Sequence, residues 1–185
     1  MWNSTRRRAR GLSPAAIVLG AGLSAASSPV PASDLPAAGA VVRNHVECPA
    51  TRAALDRAAE GALRRLRTPE CQQVFSDFRD AAGRTLRERL EALAQTGDGY
   101  LASRMWFVDG SGARACRDSQ TLAVTGRGSS VVFVCAAQLR ERAFHDPAFV
   151  EATLIHEELH SLGLGENPPS SHEITARVQR RCGAR

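Results

Sequence analysis

Apolar residues recur at helical spacing in the first half of the chain, beginning near residue 51. Over residues 51–67 one side of the predicted helix is apolar, formed by Ala54, Leu55, Ala58, Ala62, Leu63 and Leu66. Pro69 begins a second pattern of the same period, formed by Val74, Phe75, Phe78, Ala82, Leu86 and Leu90. A glycine-containing run at 96–99 ends that pattern. The sequence therefore predicts two N-terminal helices.

The spacing of apolar residues changes from helical to strand-like in the middle of the chain. Three short strand-like runs occupy residues 105–108, 121–124 and 131–134. Glycine-rich turns separate them, so they predict a small antiparallel sheet. Pro147 then begins a helix over about 148–162, and a last helix is predicted over about 171–181. The order of helices, sheet and helices predicts an α+β fold.

The first 32 residues have the pattern of a secretory signal peptide. Four arginines lie within residues 1–10, an apolar stretch runs through Ala26, and small residues follow. The apolar stretch is short and rich in Gly and Ser, so we expect no stable membrane insertion after cleavage. The predicted organisation is a signal peptide at 1–32, a mobile leader at 33–47 and a folded domain at 48–185. The expected location is secreted or periplasmic.

Removal of that signal peptide changes the charge of the protein. The whole chain has 24 basic and 19 acidic residues, a formal net charge of +5. Four of the basic residues and none of the acidic ones lie within 1–32, so the remainder has a formal charge of +1. A nearly neutral domain gives no reason to expect a nucleic-acid partner.

The chain has five cysteines, Cys48, Cys71, Cys116, Cys135 and Cys182. None belongs to a C-x-x-C pair, which argues against a thiolate zinc site or a thioredoxin-type redox site. In an exported protein they predict up to two disulfides with one thiol left over. Cys116 and Cys135 flank two strand-like runs, and we expect them to form one of the bridges.

Candidate chemistry is concentrated in residues 154–174, which hold three of the five histidines. His156, Glu157 and His160 form an H-E-x-x-H motif inside a predicted helix. Residues four apart lie on one helical face, so the two imidazoles can bind one zinc ion. Glu157 is turned toward the edge of that face. It can reach a metal-activated water there without binding the metal, which is the position of a general base.

At these residues the chain resembles the zincin metallopeptidases, and the order of a short sheet before the motif helix is similar to the zincin core. The resemblance implies a zincin-like fold and a zinc ion bound by His156 and His160, with Glu157 as the base. It also implies a peptide or protein substrate, bound as an extended strand along the edge of the sheet.

A catalytic zinc ion needs a third protein ligand and one open position for water. Glu166 is the preferred candidate, because it follows His160 at a spacing that resembles the metzincin pattern, with Glu in place of His. Glu173 is an alternative that resembles the gluzincin arrangement, although it also belongs to an S-x-x-E capping box that begins at Ser170. His172 is the other alternative, either as a ligand or as a hydrogen-bond donor in the transition state.

The sequence thus predicts an exported zinc-dependent peptidase. The alternative, from a different class, is a disulfide-stabilised secreted binding or inhibitor module with a non-catalytic metal site. Motif and predicted fold do not separate these two functions, because metal binding is necessary for this type of hydrolysis and not sufficient. Cleavage specificity and oligomeric state leave no signal in the sequence.

Overall fold

The computed structural model describes residues 42–184, and the predicted signal peptide (1–32) and first part of the leader (33–41) lie outside them. The helices are α1 (Pro49–Leu66), α2 (Pro69–Gln72), α3 (Val74–Asp77), α4 (Leu86–Ala92), α5 (Gly97–Arg104), α6 (Ala136–His145), α7 (Pro147–Ser161) and α8 (Ser171–Cys182). The strands are β1 (Arg43–Asn44), β2 (Trp106–Asp109), β3 (Ala123–Thr125) and β4 (Val131–Val134). The α+β class is confirmed. Within 42–184 no helix combines the length and apolar character needed to cross a membrane.

The sheet is mixed, which corrects the predicted antiparallel sheet. Its strand order is β1-β2-β4-β3, with β2 parallel to both β1 and β4, and β3 antiparallel to β4. A tight turn in which Gly128 has a φ of 74° joins β3 to β4 as a hairpin. The segment 110–122 is long enough to carry the chain past β4, so β3 lies outside β4 and does not pair with β2. This places β3 at the edge of the sheet.

Residues 42–47 are part of the folded domain, which corrects the predicted boundary of the mobile leader. Val42 and Val46 are buried, and β1 pairs with β2. The Asn44 side chain donates a hydrogen bond to the carboxylate of Asp56 in α1 at 2.8 Å. Two valines in a polar segment form no periodic pattern, so this strand depends on pairing with a partner distant in the sequence.

The predicted second helix is broken into α2, α3 and α4, which is a further correction. The Asp80 side chain accepts a hydrogen bond from the backbone N–H of Arg84 and closes a turn in place of a helix. Gly83 has a φ of 79° in that turn. Thr85 then begins α4 with a capping box that uses Glu88. Local side-chain hydrogen bonds therefore overrode the helical spacing of the apolar residues.

Helix α7 packs against α1, α6, α8 and β3. It begins at Pro147 as predicted, and the Asp146 side chain accepts a hydrogen bond from the backbone N–H of Phe149. An apolar stripe on α7, continued by its C-cap residue, faces the core, and no member is more than 1% exposed: Ala152, Ile155, Leu159 and Leu162. Burial of each large apolar side chain contributes about 1.5–3 kcal/mol. The stripe therefore sets the rotation of α7 and the direction of its opposite face.

Two disulfides cross-link the domain. The predicted bridge between Cys116 and Cys135 is formed, and Cys71 is joined to Cys182, 111 residues later. Cys48 is the free thiol left over, as expected. The second bridge connects α2 to the last residue of α8. It restricts the unfolded chain, an effect typically worth about 2–4 kcal/mol, and holds α8 against the rest of the domain.

Candidate metal centre

His156 and His160 lie on successive turns of α7 and direct their rings to the same point. Their Nε2 atoms are 2.9 Å apart, and the two residues are 5% and 6% exposed. This proximity follows from the helical repeat, which places residues four apart on one face. The predicted pair of imidazoles is therefore present at the wall of a cleft.

The chain turns back directly after α7 and brings Glu166 to the two histidines. Gly163 has a φ of 113°, a conformation that L side chains rarely adopt, and its N–H donates to the carbonyl of His160 at 2.9 Å. The Oε1 atom of Glu166 lies 3.2 Å from Nε2 of His160 and 3.7 Å from Nε2 of His156. Of the three candidate third ligands, Glu166 is the one that the structure places with the histidines.

The second ring nitrogen of each histidine also has a partner. Nδ1 of His160 lies 3.0 Å from the carbonyl oxygen of Leu164, and Nδ1 of His156 lies 2.9 Å from Oγ1 of Thr175. A carbonyl oxygen only accepts hydrogen bonds, so Nδ1 of His160 is the donor in this pair, and Nε2 is the ring nitrogen that faces His156 and Glu166. Hydrogen bonds of this kind orient the histidines of metal sites.

The three ligand atoms have the composition and separation of a metal site. Two imidazole nitrogens and one carboxylate oxygen lie within 4.8 Å of one another. Ligands at typical zinc distances in a tetrahedral site would be about 3.3 Å apart. The observed separations run from 2.9 to 3.7 Å and bracket that value. The group formed by His156, His160 and Glu166, which we call the metal-ligand group, can therefore hold a metal ion.

Glu157 lies beside these ligands on the cleft side of α7. It is 5% exposed, and together with His156, His160 and Glu166 it lines a cavity of about 340 Å³. Burial raises the pKa of Glu157 to about 7; polar contacts with Thr125 oppose this shift, and the charge of Glu166 adds to it. Its Oε2 atom has no hydrogen-bond partner within residues 42–184. Such a carboxyl can accept a proton from a water in the cavity.

Burial also shifts the pKa values of two neighbouring groups. It lowers the pKa of His156 to about 3, and charge on His160 adds to that effect, so His156 is neutral at pH 7 and able to bind a metal. Burial raises the pKa of Glu158 well above its ordinary value, and the charge of Asp98 contributes. Glu158 is completely buried, and neither of its carboxyl oxygens has a hydrogen-bond partner in the described part of the chain.

The edge strand β3 forms one wall of the cleft. Its residues Ala123, Val124 and Thr125 line the cavity that holds the metal-ligand group. Within the described sheet β3 pairs only with β4. An edge strand retains backbone N–H and C=O groups that an extended peptide can bind. The cleft therefore combines a metal-ligand group, a buried carboxyl and a strand available for pairing.

Glu173 and His172 do not join the metal-ligand group. The carboxylate of Glu173 accepts hydrogen bonds from the backbone N–H of Ser170 at 2.9 Å and from its hydroxyl at 2.7 Å, which completes a capping box. These hydrogen bonds lower the pKa of Glu173. His172 is exposed in the first turn of α8. The capping role noted for Glu173 is therefore the one observed.

Two residues around the site had no signal in the sequence. Thr175 reaches His156 because α8 packs against α7, and Arg127 lines the cleft from the turn between β3 and β4. Neither belongs to a motif, and the approach of each to the histidines depends on how separate elements of the fold pack together. The sequence places Thr175 in the predicted last helix, one turn after Ser171, but that position does not indicate a contact with His156.

The chain matches no protein-family model, no curated protein and no solved structure. The zincin resemblance therefore remains a prediction, based on the motif residues and the short sheet that precedes them. The metal-ligand group is the feature of the described residues that indicates a chemical function.

Proposed function

We propose that this protein is a zinc-dependent peptidase of the zincin type, acting on a peptide or protein substrate. The observation that carries the proposal is the convergence of His156, His160 and Glu166 beside the buried Glu157 in one cleft. This is the set of groups that metal-assisted hydrolysis requires: ligands, a base and access for a substrate.

The donor set supports zinc as the ion. Two imidazole nitrogens and one carboxylate oxygen are a known ligand set of catalytic zinc and leave one position for water. Calcium and magnesium prefer sites built from oxygen alone. Other first-row transition metals also bind nitrogen and oxygen ligands, so the experiment must identify the metal and not only detect one.

Glu157 supplies the proton transfers in the proposed reaction. A bound zinc ion would act as a Lewis acid that lowers the pKa of a water and polarises the substrate carbonyl. Glu157 accepts a proton from the attacking water while the water oxygen bonds to the carbonyl carbon. It then donates that proton to the amine nitrogen as the C–N bond breaks. Each cycle yields a carboxylic acid and an amine and returns Glu157 to its starting state.

The position of β3 supports an extended peptide as the substrate. Main-chain hydrogen bonds to an edge strand would hold the peptide along the cleft, with its scissile carbonyl near the metal-ligand group. The two disulfides support an exported protein, since such bridges persist in oxidising compartments. We accordingly propose a secreted or periplasmic enzyme that is released by removal of residues 1–32.

Metal analysis of single variants tests the proposal. Purified protein should contain about one zinc ion per chain, and chelators should remove it. His156→Ala, His160→Ala and Glu166→Ala should each lose zinc, because each removes one ligand. Glu173→Ala is the matched control, as it removes a glutamate seven residues away that caps α8 and should keep zinc. Zinc retained in Glu166→Ala but lost from Glu173→Ala would contradict the ligand assignment.

Glu157→Gln then separates a peptidase from a binding module with a metal site. The variant should keep zinc and lose about 10²- to 10⁴-fold in kcat on a peptide library, since an amide cannot accept the proton from water. Metal content and cleavage are measured on the same preparations. If wild type and Glu157→Gln bind zinc and are equally inert on every substrate, the hydrolase proposal is wrong and the binding module is favoured.

A further inference from the structure

A second cavity adjoins the candidate metal centre. It has a volume of about 610 Å³ and shares four lining residues with the cleft: Arg127, Leu164, Gly165 and Glu166. Its apolar wall is formed farther from the histidines by Phe78, Ala81, Pro168 and Pro169. A substrate that reaches the metal-ligand group can therefore place a neighbouring part of its chain in this second cavity.

Arg127 is an exposed residue that lines both cavities. It belongs to the turn between β3 and β4, where the backbone N–H of Gly128 donates to the carbonyl of His160 at 2.9 Å. Its guanidinium packs onto Gly165, where an added Cβ atom would lie 2.5 Å from Nη2. The absence of a side chain at Gly165 leaves room for this approach. The backbone beside Arg127 is thus joined to the end of α7, and its guanidinium lies against Gly165, between the two cavities.

The positive charge of Arg127 is not balanced by an ion pair in the described part of the chain. The two aspartates of the second cavity are already neutralised, since Asp77 binds two arginines of α8 and Asp80 binds Arg84. The Glu166 carboxylate is directed at the histidines. The second cavity therefore retains unmatched positive charge beside the metal-ligand group.

We propose that Arg127 binds a carboxylate of the substrate and makes the enzyme selective for acidic substrates. This inference rests on the proposed peptidase function and adds its substrate class. A guanidinium forms two parallel, charge-assisted hydrogen bonds with a carboxylate. Arg79, which also lines the second cavity, adds positive charge, and Phe78 and Pro168 can contact the carbon chain. The carboxylate belongs to an acidic side chain or to the C-terminus of the substrate.

Peptide binding measured without turnover tests this inference. Zinc-loaded Glu157→Gln protein is titrated with fluorescent peptides in matched pairs, and anisotropy gives Kd. One set has Glu or Gln at each successive position, and the other has a free or an amidated C-terminus. The acidic member of one set should bind about 10- to 100-fold tighter, the range expected for hydrogen bonds to a charged group. The set that responds identifies the source of the carboxylate.

A second substitution, added to the Glu157→Gln protein, tests whether the preference for acidic peptides depends on Arg127. Arg127→Gln should abolish it, and Arg127→Lys should retain only part, because an ammonium lacks the planar pair of donors. Arg104→Gln is the matched control: it removes the same charge from an exposed residue that lines neither cavity, and it should change nothing. Thermal unfolding of each variant verifies that the domain is folded.

Two outcomes would overturn the inference: acidic and amide peptides that bind equally or not at all, or a preference that survives Arg127→Gln. Both are distinguishable from failure of the peptidase proposal. A carboxylate preference that depends on Arg127, in a protein whose wild-type form cleaves none of the same peptides, would uphold Arg127 and reject hydrolysis. Cleavage of these peptides by wild type without any acidic preference would uphold hydrolysis and reject the role of Arg127.

Discussion

Helix α7 has a cleft face and a core face, and both are almost completely buried. The cleft face carries His156, Glu157 and His160, whereas the core face carries Ile155 and Leu159. The side chains of the core face belong to the apolar core of the domain. Those of the cleft face line a cavity and converge with a group from outside the helix. The two faces differ in what lies opposite them and not in how buried they are.

Glu157 and Glu158 show this difference within one pair of adjacent residues. Burial raises the pKa of both carboxyls. Glu157 lines the cavity beside the metal-ligand group, whereas Glu158 lies in the interior without a hydrogen-bond partner among residues 42–184. A raised pKa therefore identifies a candidate base only when a cavity and converging groups accompany it.

The largest expected effect comes from the core face. Leu159→Ala should lower the free energy of unfolding by about 2–5 kcal/mol, because it removes a fully buried side chain and leaves a cavity. Folded Leu159→Ala protein should still bind zinc, whereas folded His160→Ala protein should not. Urea unfolding of the metal-free proteins and zinc analysis of the folded ones test this. Loss of zinc from both variants would show that the two faces are not separable.

A substitution at Glu158 is expected to change stability less than Leu159→Ala does, and to raise it instead of lowering it. Glu158→Leu should raise the free energy of unfolding by about 1–3 kcal/mol at pH 7, since a buried carboxyl without hydrogen bonds is costly and an apolar side chain is not. Zinc binding should be retained. Glu157→Leu is the matched comparison, and it should abolish cleavage. A decrease in stability on Glu158→Leu would indicate a polar partner for this carboxyl.

The pH dependence of that effect follows from the raised pKa of Glu158. The cost of burying this carboxyl is smallest below the unfolded pKa of about 4.5, where it is protonated in both states, and it grows as the pH rises toward the higher pKa of the folded state. Glu158→Leu should therefore gain more over wild type at pH 7 than at pH 4. Equal gains at both pH values would contradict the raised pKa.

The smallest expected effect is at Thr175, which supports the cleft face from α8. Thr175→Val removes the hydroxyl 2.9 Å from Nδ1 of His156 and preserves the shape of the side chain. Zinc affinity should fall about tenfold, because the ring loses the hydrogen bond that orients it. Competition with a chelating dye measures the change. Thr153→Val is a suitable control, since its hydroxyl donates to the carbonyl of Phe149 and not to the histidine.

Local signals in the sequence predicted the helices that matter most for the site. Pro147 marks the start of α7, and Ser170 with Glu173 marks the start of α8, because proline and capping boxes act on the neighbouring backbone. Thr85 and Glu88 carry a signal of the same type, but the spacing of the apolar residues across it predicts one long helix in place of three short ones. The spacing of apolar residues does not predict helix α6, because Leu139 is its single buried residue and the helix has no apolar stripe.

By itself the sequence determined the cleft face of α7, and it left Glu166, Glu173 and His172 as candidates for the third ligand. A spacing of four residues places His156 and His160 together on any helix, and Gly163 permits the reversal that returns Glu166 to them. Only the tertiary structure decided the pairing of β1, the mixed sheet, and the approach of Thr175 and Arg127 to the site. Those contacts join residues far apart in the chain, and their geometry depends on how the helices and the sheet pack around one core.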